Sequence, residues 1–499
     1  MRLRVLFAGA LAALPLIVSG ALAQTAERAP AAAPPSAASA SPAAPATSPA
    51  PPGSVPALPP AASASSAAPS DPANPPASTQ GLVSPFMPQA ATPPAAGAAS
   101  TPAAPPSAAA PQPAQAAAPP KPRKPPPPPR ETALSDDPEP TLKPDTFFAT
   151  AKASERYSAI VDAGGWPTDI AAIAPGAKGP AVARLRKRLA IEGYLDAGEA
   201  SGLAWDKTLT AAVKRFQAHM GLRETGTVSG ATLKAINIPA RERFKELASS
   251  ADRLAGLNFS FDDRYVVVNL PSTSVEAVEN GRVVHRYVAI VGDPEHPSPE
   301  ISAHIQVVNL NPTWTVPTSI IRKEIIPRMQ RDPGYLKRAK IRILDGQGKE
   351  IDPKSVNWST ERAANYTLRQ DSGAGNSLGS IRIGMPNKLA VYMHDTPSKG
   401  LFGADYRFLS HGCVRVQGVY DYAAWLLEGT AGGWDKAALE AKIKEGAPYN
   451  VNLAKAVPVI WVYLTGWSNG DGPANFRNDV YNIDNVGEAQ VSAQAAPVR

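Results

Sequence analysis

A long tract of Pro, Ala and Ser, running from residue 24 to about 143, decides where in this chain a packed core can form. Of 499 residues, 55 are Pro, and they concentrate in this N-terminal part. A segment so poor in large apolar groups cannot bury enough surface to offset its ordering entropy. The fold is therefore expected from about Asp145 onward, in two or three domains of the usual size. Five consecutive prolines, Pro125 to Pro129, make the end of the tract semi-extended, because polyproline II rises about 3.1 Å per residue. The simplest role is a tether. The basic patch Lys121-Pro122-Arg123-Lys124 leaves binding of another protein open.

The first residues read as a secretory signal. Arg2 and Arg4 give the positive start, Val5 to Val18 is an apolar run, and Ala21-Leu22-Ala23 is an A-x-A cleavage site before Gln24. The run is shorter than the ~18–20 residues a membrane span needs, which argues against an uncleaved anchor. No Cys follows the signal, which argues against a lipidated N-terminus. The expected mature protein is soluble and exported, with no membrane span. A net charge of +7 suits an acidic polymer or anionic surface as neighbour. No nucleic-acid motif appears, and no nucleic-acid partner is expected. Cys413 is the single Cys of the sequence, so no internal disulfide exists, and a lone thiol in an exported chain is a candidate reactive group. The bland reading is a buried structural thiol.

Hydrophobic spacing divides the rest. A helix is expected from Phe147 to Ala163. Val182, Leu185 and Leu189 repeat at helical spacing before Gly193. Asp206 is placed to cap a second helix with Leu209, Val213 and Phe216 on its core face, and Ser229 to cap a third carrying Leu233 and Ile236. From Phe259 the pattern turns to strands: Tyr265 to Leu270, Val275 to Val278, the Asn280-Gly281 hairpin turn, Val283 to Val291, His304 to Leu310, Leu389 to His394 and Val457 to Leu464. Helices are expected at about Thr318–Met329, Gly418–Leu427 and Asp435–Lys444. Residues 318–368 read as a basic, partly helical insertion over the sheet. It is a candidate lid whose Arg322, Lys323, Arg328, Arg331, Lys337 and Arg338 could hold carboxylates, or else a solvated helix face.

The chemistry concentrates in Ser410-His411-Gly412-Cys413-Val414-Arg415, which follows Tyr392-Met393-His394-Asp395. A free thiol is only a few per cent thiolate at neutral pH, so a nucleophilic Cys needs an imidazole in reach to take its proton. The same imidazole can later protonate a leaving amine. Gly412 allows an unusual backbone angle, and the N–H groups of Gly412 and Cys413 could aim at a developing oxyanion. Tyr392 and Trp425 read as core. His219, His285, His296 and His304 show no paired spacing, and no metal site is expected.

Two resemblances follow from these residues. Gly179, Val182, Leu185, Leu189, Gly193, Tyr194, Ala212, Val213, Phe216, Gln217, Gly221, Leu222, Gly226, Leu233 and Asn237 resemble the peptidoglycan-binding type 1 family over about 174–239. This implies contact with wall glycan or stem peptide, or a scaffold with no ligand of its own. His394, Ser410, His411, Gly412 and Cys413 resemble the signature of the YkuD-type L,D-transpeptidase family, in its large, lid-containing subclass. Supporting stretches are Val291 to Pro294, Asn311 to Pro317, Arg369-Gln370, Gly375 to Gly379, and His394 to Pro397 followed by Leu401-Phe402.

The resemblance implies a periplasmic enzyme of cell-wall remodelling with no metal or organic cofactor. Cys413 would attack the carbonyl between a diamino acid and D-Ala in a tetrapeptide stem. The thioester would then pass to a side-chain amine of a second stem, giving a 3-3 cross-link, with carbapenems acylating the same thiol. Water as acceptor would make it an L,D-carboxypeptidase, and loss of activity would leave a wall-binding protein. Cys413 is the expected nucleophile and His394 the base. Gly412 and His411 belong to the oxyanion loop. Arg415, Ser410 and Asp395 are candidates for substrate binding, Asp395 also for orienting His394 through its backbone carbonyl. Many family members have Ser or Gly after this His, so Asp395 weakens any claim for a third triad hydroxyl, and many place Asn where Arg415 stands, so the role of Arg415 is less transferable. Stem peptides and glycan are the expected partners, with wall-synthesis proteins as further candidates.

The expected fold is therefore multi-domain. Residues 1–23 are the signal, 24–143 the disordered linker, and 144–258 a helical scaffold holding the three-helix module. Residues 259–482 are a mostly-β catalytic domain with peripheral helices and the inserted helical lid at 318–368, and 483–499 are a flexible tail.

Overall fold

The computed structural model describes residues 130–484. The expected signal, most of the Pro-rich tract and nearly all of the expected C-terminal tail lie outside the described residues. Among the described residues, no helix is long and apolar enough to cross a membrane.

The helical part comprises α1 (Thr146–Asp162), α2 (Pro180–Ile191), α3 (Lys207–His219), α4 (Gly230–Ile236) and α5 (Ala240–Ala255). The positions expected on one face, Val182, Leu185, Leu189, Leu209, Val213 and Phe216, are all buried in one core. Arg188 and Glu192, one turn apart, pair at 2.5 Å inside that core, and Tyr157 donates its hydroxyl to Glu192. Asp206 caps α3 as expected: its Oδ1 accepts the Leu209 N–H at 2.8 Å. Asp206→Ala should therefore lower stability by about 1–2 kcal/mol, read as a shifted urea midpoint; an unmoved midpoint would refute the cap. Ser229 stands at the start of α4 in extended backbone, but its hydroxyl does not cap. Glu131 does so instead, accepting the Ala231 N–H at 3.0 Å. A carboxylate arriving from another segment has displaced the local hydroxyl.

That segment belongs to the expected linker. Residues 130–143 are laid across both folded parts. Ala133 N–H donates to Gly221 O, Val283 N–H to Pro138 O, and Thr141 N–H and Oγ1 to Glu276. Composition predicts no core here, and these residues build none of their own; besides polar contacts, Leu142 is buried in the core beside α5 and Leu134 packs against Phe402 and its neighbours.

The strand-rich part contains β1 (Arg264–Asn269), β2 (Ser274–Glu279), β3 (Arg282–Gly292), β4 (Ile301–Leu310) and β5 (Trp314–Thr315). Next come α6 (Thr318–Ile320), a π turn at Ile321–Ile325, α7 (Ile326–Arg331), α8 (Tyr335–Arg338), β6 (Ile341–Leu344), β7 (Glu350–Ile351) and β8 (Thr367–Gln370). The chain continues through β9 (Ile381–Gly384), β10 (Met393–His394), β11 (Phe408–Ser410), β12 (Val414–Val416), α9 (Val419–Leu426), α10 (Lys436–Lys444), β13 (Tyr449–Val462), β14 (Gly466–Trp467) and β15 (Asn475–Phe476).

The main sheet runs β11-β3-β12-β10-β9-β4-β13-β1-β2, and β2 also pairs with β3, so the pairing closes on itself. Successive side chains of a strand point to opposite faces. Accordingly Val266 and Val268 of β1 enter the core shared with α9, while Tyr265 and Val267 enter a second one beside α5. This two-sided burial explains the unbroken apolar run read in the sequence. The Asn280-Gly281 turn has φ of 50° and 74°, the left-handed pair such a hairpin requires.

Two expectations are corrected. Only Met393–His394 of the expected strand Leu389 to His394 is extended. Asn387 ties up the rest: its Nδ2 donates to Met385 O and Val391 O, and its Oδ1 accepts from Leu389 N and Val391 N. The insertion is also not purely helical. It holds a four-stranded sheet, β5-β8-β6-β7, and a core of its own that includes Trp314, Ile320, Leu336, Ile343 and Leu368. Its strands are only two to four residues long, too short for a visible period of two.

Candidate active site

The strand register brings the two catalytic candidates together. β10 and β12 pair in parallel, Met393 opposite Val414 and His394 opposite Arg415. Parallel neighbours need a crossover, which the chain supplies between Asp395 and Cys413. Cys413 and His394 then line one cavity with about 370 Å³ of space, open mouth included, walled by Trp314, Pro317, Ile320, Leu378 and Tyr392. Of these walls, Ile320 belongs to the insertion, and Trp314 and Leu378 flank it and pack in its core. None of its six expected carboxylate binders lines this cavity. Arg322 instead pairs with Glu361, Arg338 with Asp332, and Arg328 lies over the Tyr335 ring.

His394 is buried, and its Nδ1 lies 2.5 Å from the Asp395 carbonyl. A carbonyl only accepts, so Nδ1 carries the proton and Nε2 keeps its lone pair. Burial, then the neighbouring Arg415 charge, pushes the imidazole down to about 3, against which the Asp395 carbonyl acts upward. Burial likewise pushes the Cys413 thiol up, opposed by hydrogen bonds from the Tyr392 main chain and hydroxyl. The resting pair is thus a neutral thiol beside a neutral imidazole.

The loop that carries Cys413 is braced from within. Ser410 Oγ donates to the Cys413 carbonyl at 2.5 Å and accepts the Gly412 N–H at 3.2 Å. Ser298 Oγ donates to Gly412 O at 2.8 Å. Gly412 has φ of 104°, a left-handed backbone that explains why glycine precedes the thiol. His411 packs on His296 with centroids 4.6 Å apart and the rings tilted by 32°, and its Nε2 lies 2.8 Å from Glu324 of the π turn.

The geometry departs from the sequence reading at four residues. Asp395 is buried; its carboxylate pairs with Lys399 and accepts the Ser380 N–H at 3.0 Å, so only its carbonyl serves the site. Arg415 is buried beneath the site rather than lining the cavity, and burial pushes it down to about 10. Ser410 lines the cavity, but its hydroxyl is engaged by the loop. The Gly412 N–H, expected at an oxyanion, is spent on Ser410.

Tyr392, read as core, touches the thiol, and the Trp314 side chain hydrogen-bonds Tyr392 in turn. The available signal was its spacing: Tyr392 stands two residues before His394, just ahead of β10, with rings 5.8 Å apart.

Gly379 packs against the other side of Asp395 with φ of 61°, and a Cβ there would run into the Asp395 side chain. Gly379→Ala should cost about 1–2 kcal/mol and loosen the carbonyl that holds His394; an unchanged unfolding midpoint would contradict this packing. Among the described residues, no group of three or more His, Cys, Asp or Glu is placed to hold a metal ion.

Residues 263–440 match the family described as YkuD, the L,D-transpeptidase catalytic domain. Residues 178–236 match the family described as "Putative peptidoglycan binding domain". A "Putative L,D-transpeptidase" of Haemophilus influenzae is 31% identical over 220 residues, 44% of this chain and 44% of that protein. The match thus spans less than half the length of that relative. Similar solved structures include the L,D-transpeptidase from Mycobacterium smegmatis, with 15% identity over 40% of this chain and 58% of that one, at a TM-score of 0.20. Another is that of Stackebrandtia nassauensis, with 12% identity over 58% of this chain and 93% of that one, at a TM-score of 0.22. The chain therefore carries a YkuD-family L,D-transpeptidase catalytic domain at 263–440, joined to a peptidoglycan-binding-type domain at 178–236.

Proposed function

We propose that this protein is an exported, periplasmic cysteine L,D-transpeptidase of peptidoglycan remodelling. The observation that carries the reading is that Cys413 and His394 line a single cavity, with His394 Nδ1 held at 2.5 Å by Asp395 O. As Sγ attacks the carbonyl before D-Ala, its proton passes to Nε2. The Cys413 N–H serves the developing oxyanion. The tetrahedral intermediate collapses, the C–N bond to D-Ala breaks, and the imidazolium returns the proton to the leaving amine. A side-chain amine of a second stem then attacks the thioester. Its proton passes through His394 to the departing sulfur, and the thiol is restored.

A neutral resting pair suits this sequence, because the imidazole is free to accept a proton across the neutral range. The apolar walls Trp314, Ile320 and Leu378 exclude water from the thioester and favour an amine as acceptor. The insertion acts as the lid of the donor site through Ile320 and the core it shares with Trp314 and Leu378, rather than through its basic residues. Stem peptides and glycan are the partners.

Incubating the protein with disaccharide-tetrapeptide and separating the products tests the reading. Cross-linked dimer and free D-Ala are expected. Tripeptide alone would make the protein a carboxypeptidase, and unchanged substrate would remove the enzymatic reading.

A further inference from the structure

A second cavity lies where the peptidoglycan-binding-type domain meets the catalytic domain; it shares no lining residue with the thiol site, although Phe408 and Ser410 of β11 line one cavity each. It contains about 940 Å³ of space, open mouth included. Four cations line it: Lys234 on α4, Arg243 on α5, Arg407 before β11 and Arg477 after β15. One carboxylate, Asp405, lines it too, and its oxygens already accept from Glu131 N, Thr132 N and Thr132 Oγ1. Among the described residues, neither Arg407 nor Arg477 has a carboxylate within salt-bridge reach. Arg407 is buried and donates only to hydroxyls and carbonyls: Thr273 Oγ1, Thr132 Oγ1, Ala404 O and Asp405 O.

Arg477 spends Nη1 on His219 O at 2.8 Å and on Phe476 O at 2.6 Å; its Nε and Nη2 have no hydrogen-bond partner among the described residues. Its guanidinium lies so close over Gly221 that a Cβ there would sit 2.6 Å from Cζ. Arg243 is 2% exposed and pairs through Nη1 with Glu246 at 2.8 Å, while its Nε is buried with no partner. Burial pushes both Arg407 and Arg477 down to about 10, with Asp405 and Glu276 respectively acting the other way.

A buried cation is costly unless a charge and hydrogen bonds answer it. Guanidinium forks match planar oxyanions two bonds at a time. Among the remaining walls, Met220, Leu222, Ile238, Phe408 and Phe476 are apolar and suit a short aliphatic body behind the charged group. We propose that this cavity is an oxyanion-binding site, and that it takes the carboxylate end of a wall stem peptide, held jointly by the two domains. The peptide part of the assignment rests on the wall reading above; the oxyanion part does not.

Calorimetry on the full chain with Cys413 alkylated tests it, at fixed ionic strength. The probes are the tetrapeptide stem, the same stem with every carboxylate amidated, acetate, and inorganic phosphate. The free-acid stem should bind about tenfold or more tighter than the amidated one. Arg407→Gln should abolish that difference, and the exposed Lys234→Glu, which leaves the core untouched, should weaken free-acid binding about fivefold or more. Equal affinity for acid and amide stems, or no response to either substitution, overturns the site. Phosphate binding without stem binding overturns the peptide assignment. If the unalkylated parent forms no thioester, the wall reading fails, and the acetate and phosphate arms still report on the arginines.

Discussion

A chain carrying Cys413→Ala should form no acyl-enzyme and no cross-link at any pH, while folding as before. Cys413 is the single sulfhydryl of the sequence, so no second thiol can take over. Its loop does not depend on the sulfur: Ser410 Oγ grips the backbone carbonyl of residue 413, and Ser298 Oγ grips that of Gly412. Losing one sulfur atom from a packed site should cost no more than about 1 kcal/mol, visible as a small shift in the urea midpoint. Intact-protein mass after incubation with stem checks the chemistry, and wall sedimentation checks that binding survives. A loss of fold together with activity would mean that the residue is structural.

His394→Gln should lower the acylation rate at pH 7 by about 10²- to 10⁴-fold, the usual contribution of a positioned acid–base group. The pH profile separates this from a merely structural loss. In the parent chain the imidazole is held down to about 3 by burial and Arg415, so no inflection is expected near the model-peptide value of 6.5. With the thiol pushed up by burial, spontaneous thiolate adds little at neutral pH. In the glutamine chain only thiolate attack remains, and the residual rate should climb about tenfold per pH unit through the neutral range. A flat residual profile would contradict the role given to His394.

Stability carries the same signature. The unfolded chain takes up a proton on this imidazole at 6.5, the folded chain only at about 3. Acid therefore favours unfolding: the contribution is intact above 6.5 and is lost as the pH falls toward 3. The loss amounts to at most about 1.4 kcal/mol per pH unit across that window, and the glutamine chain should lack it.

The elements legible in the sequence were those whose signal is local. The apolar stripe of α2 and α3, the Asp206 cap, the Asn280-Gly281 turn and the β-branched run of β1 each reflect one segment's own preference. What stayed hidden depends on partners distant in the chain. Glu131 caps α4 from a hundred residues away, a contact composition cannot announce. Asn387 shortens β10 by folding its side chain over its own backbone. Pattern alone could name Cys413 and His394, but the roles of Asp395, Arg415 and Tyr392 depended on which way each side chain faces. Asp395 faces Lys399, Arg415 lies under the site, and Tyr392 reaches the thiol.

Intact-protein mass spectrometry on the parent chain, quenched in acid within seconds of adding tetrapeptide stem, bears most directly on the paired thiol and imidazole. The account predicts an adduct of one tripeptide acyl group, located on Cys413 by peptide mapping, with one D-Ala released for each adduct. An adduct on any other residue, or D-Ala release from the Cys413→Ala chain at the parent's rate, would contradict it.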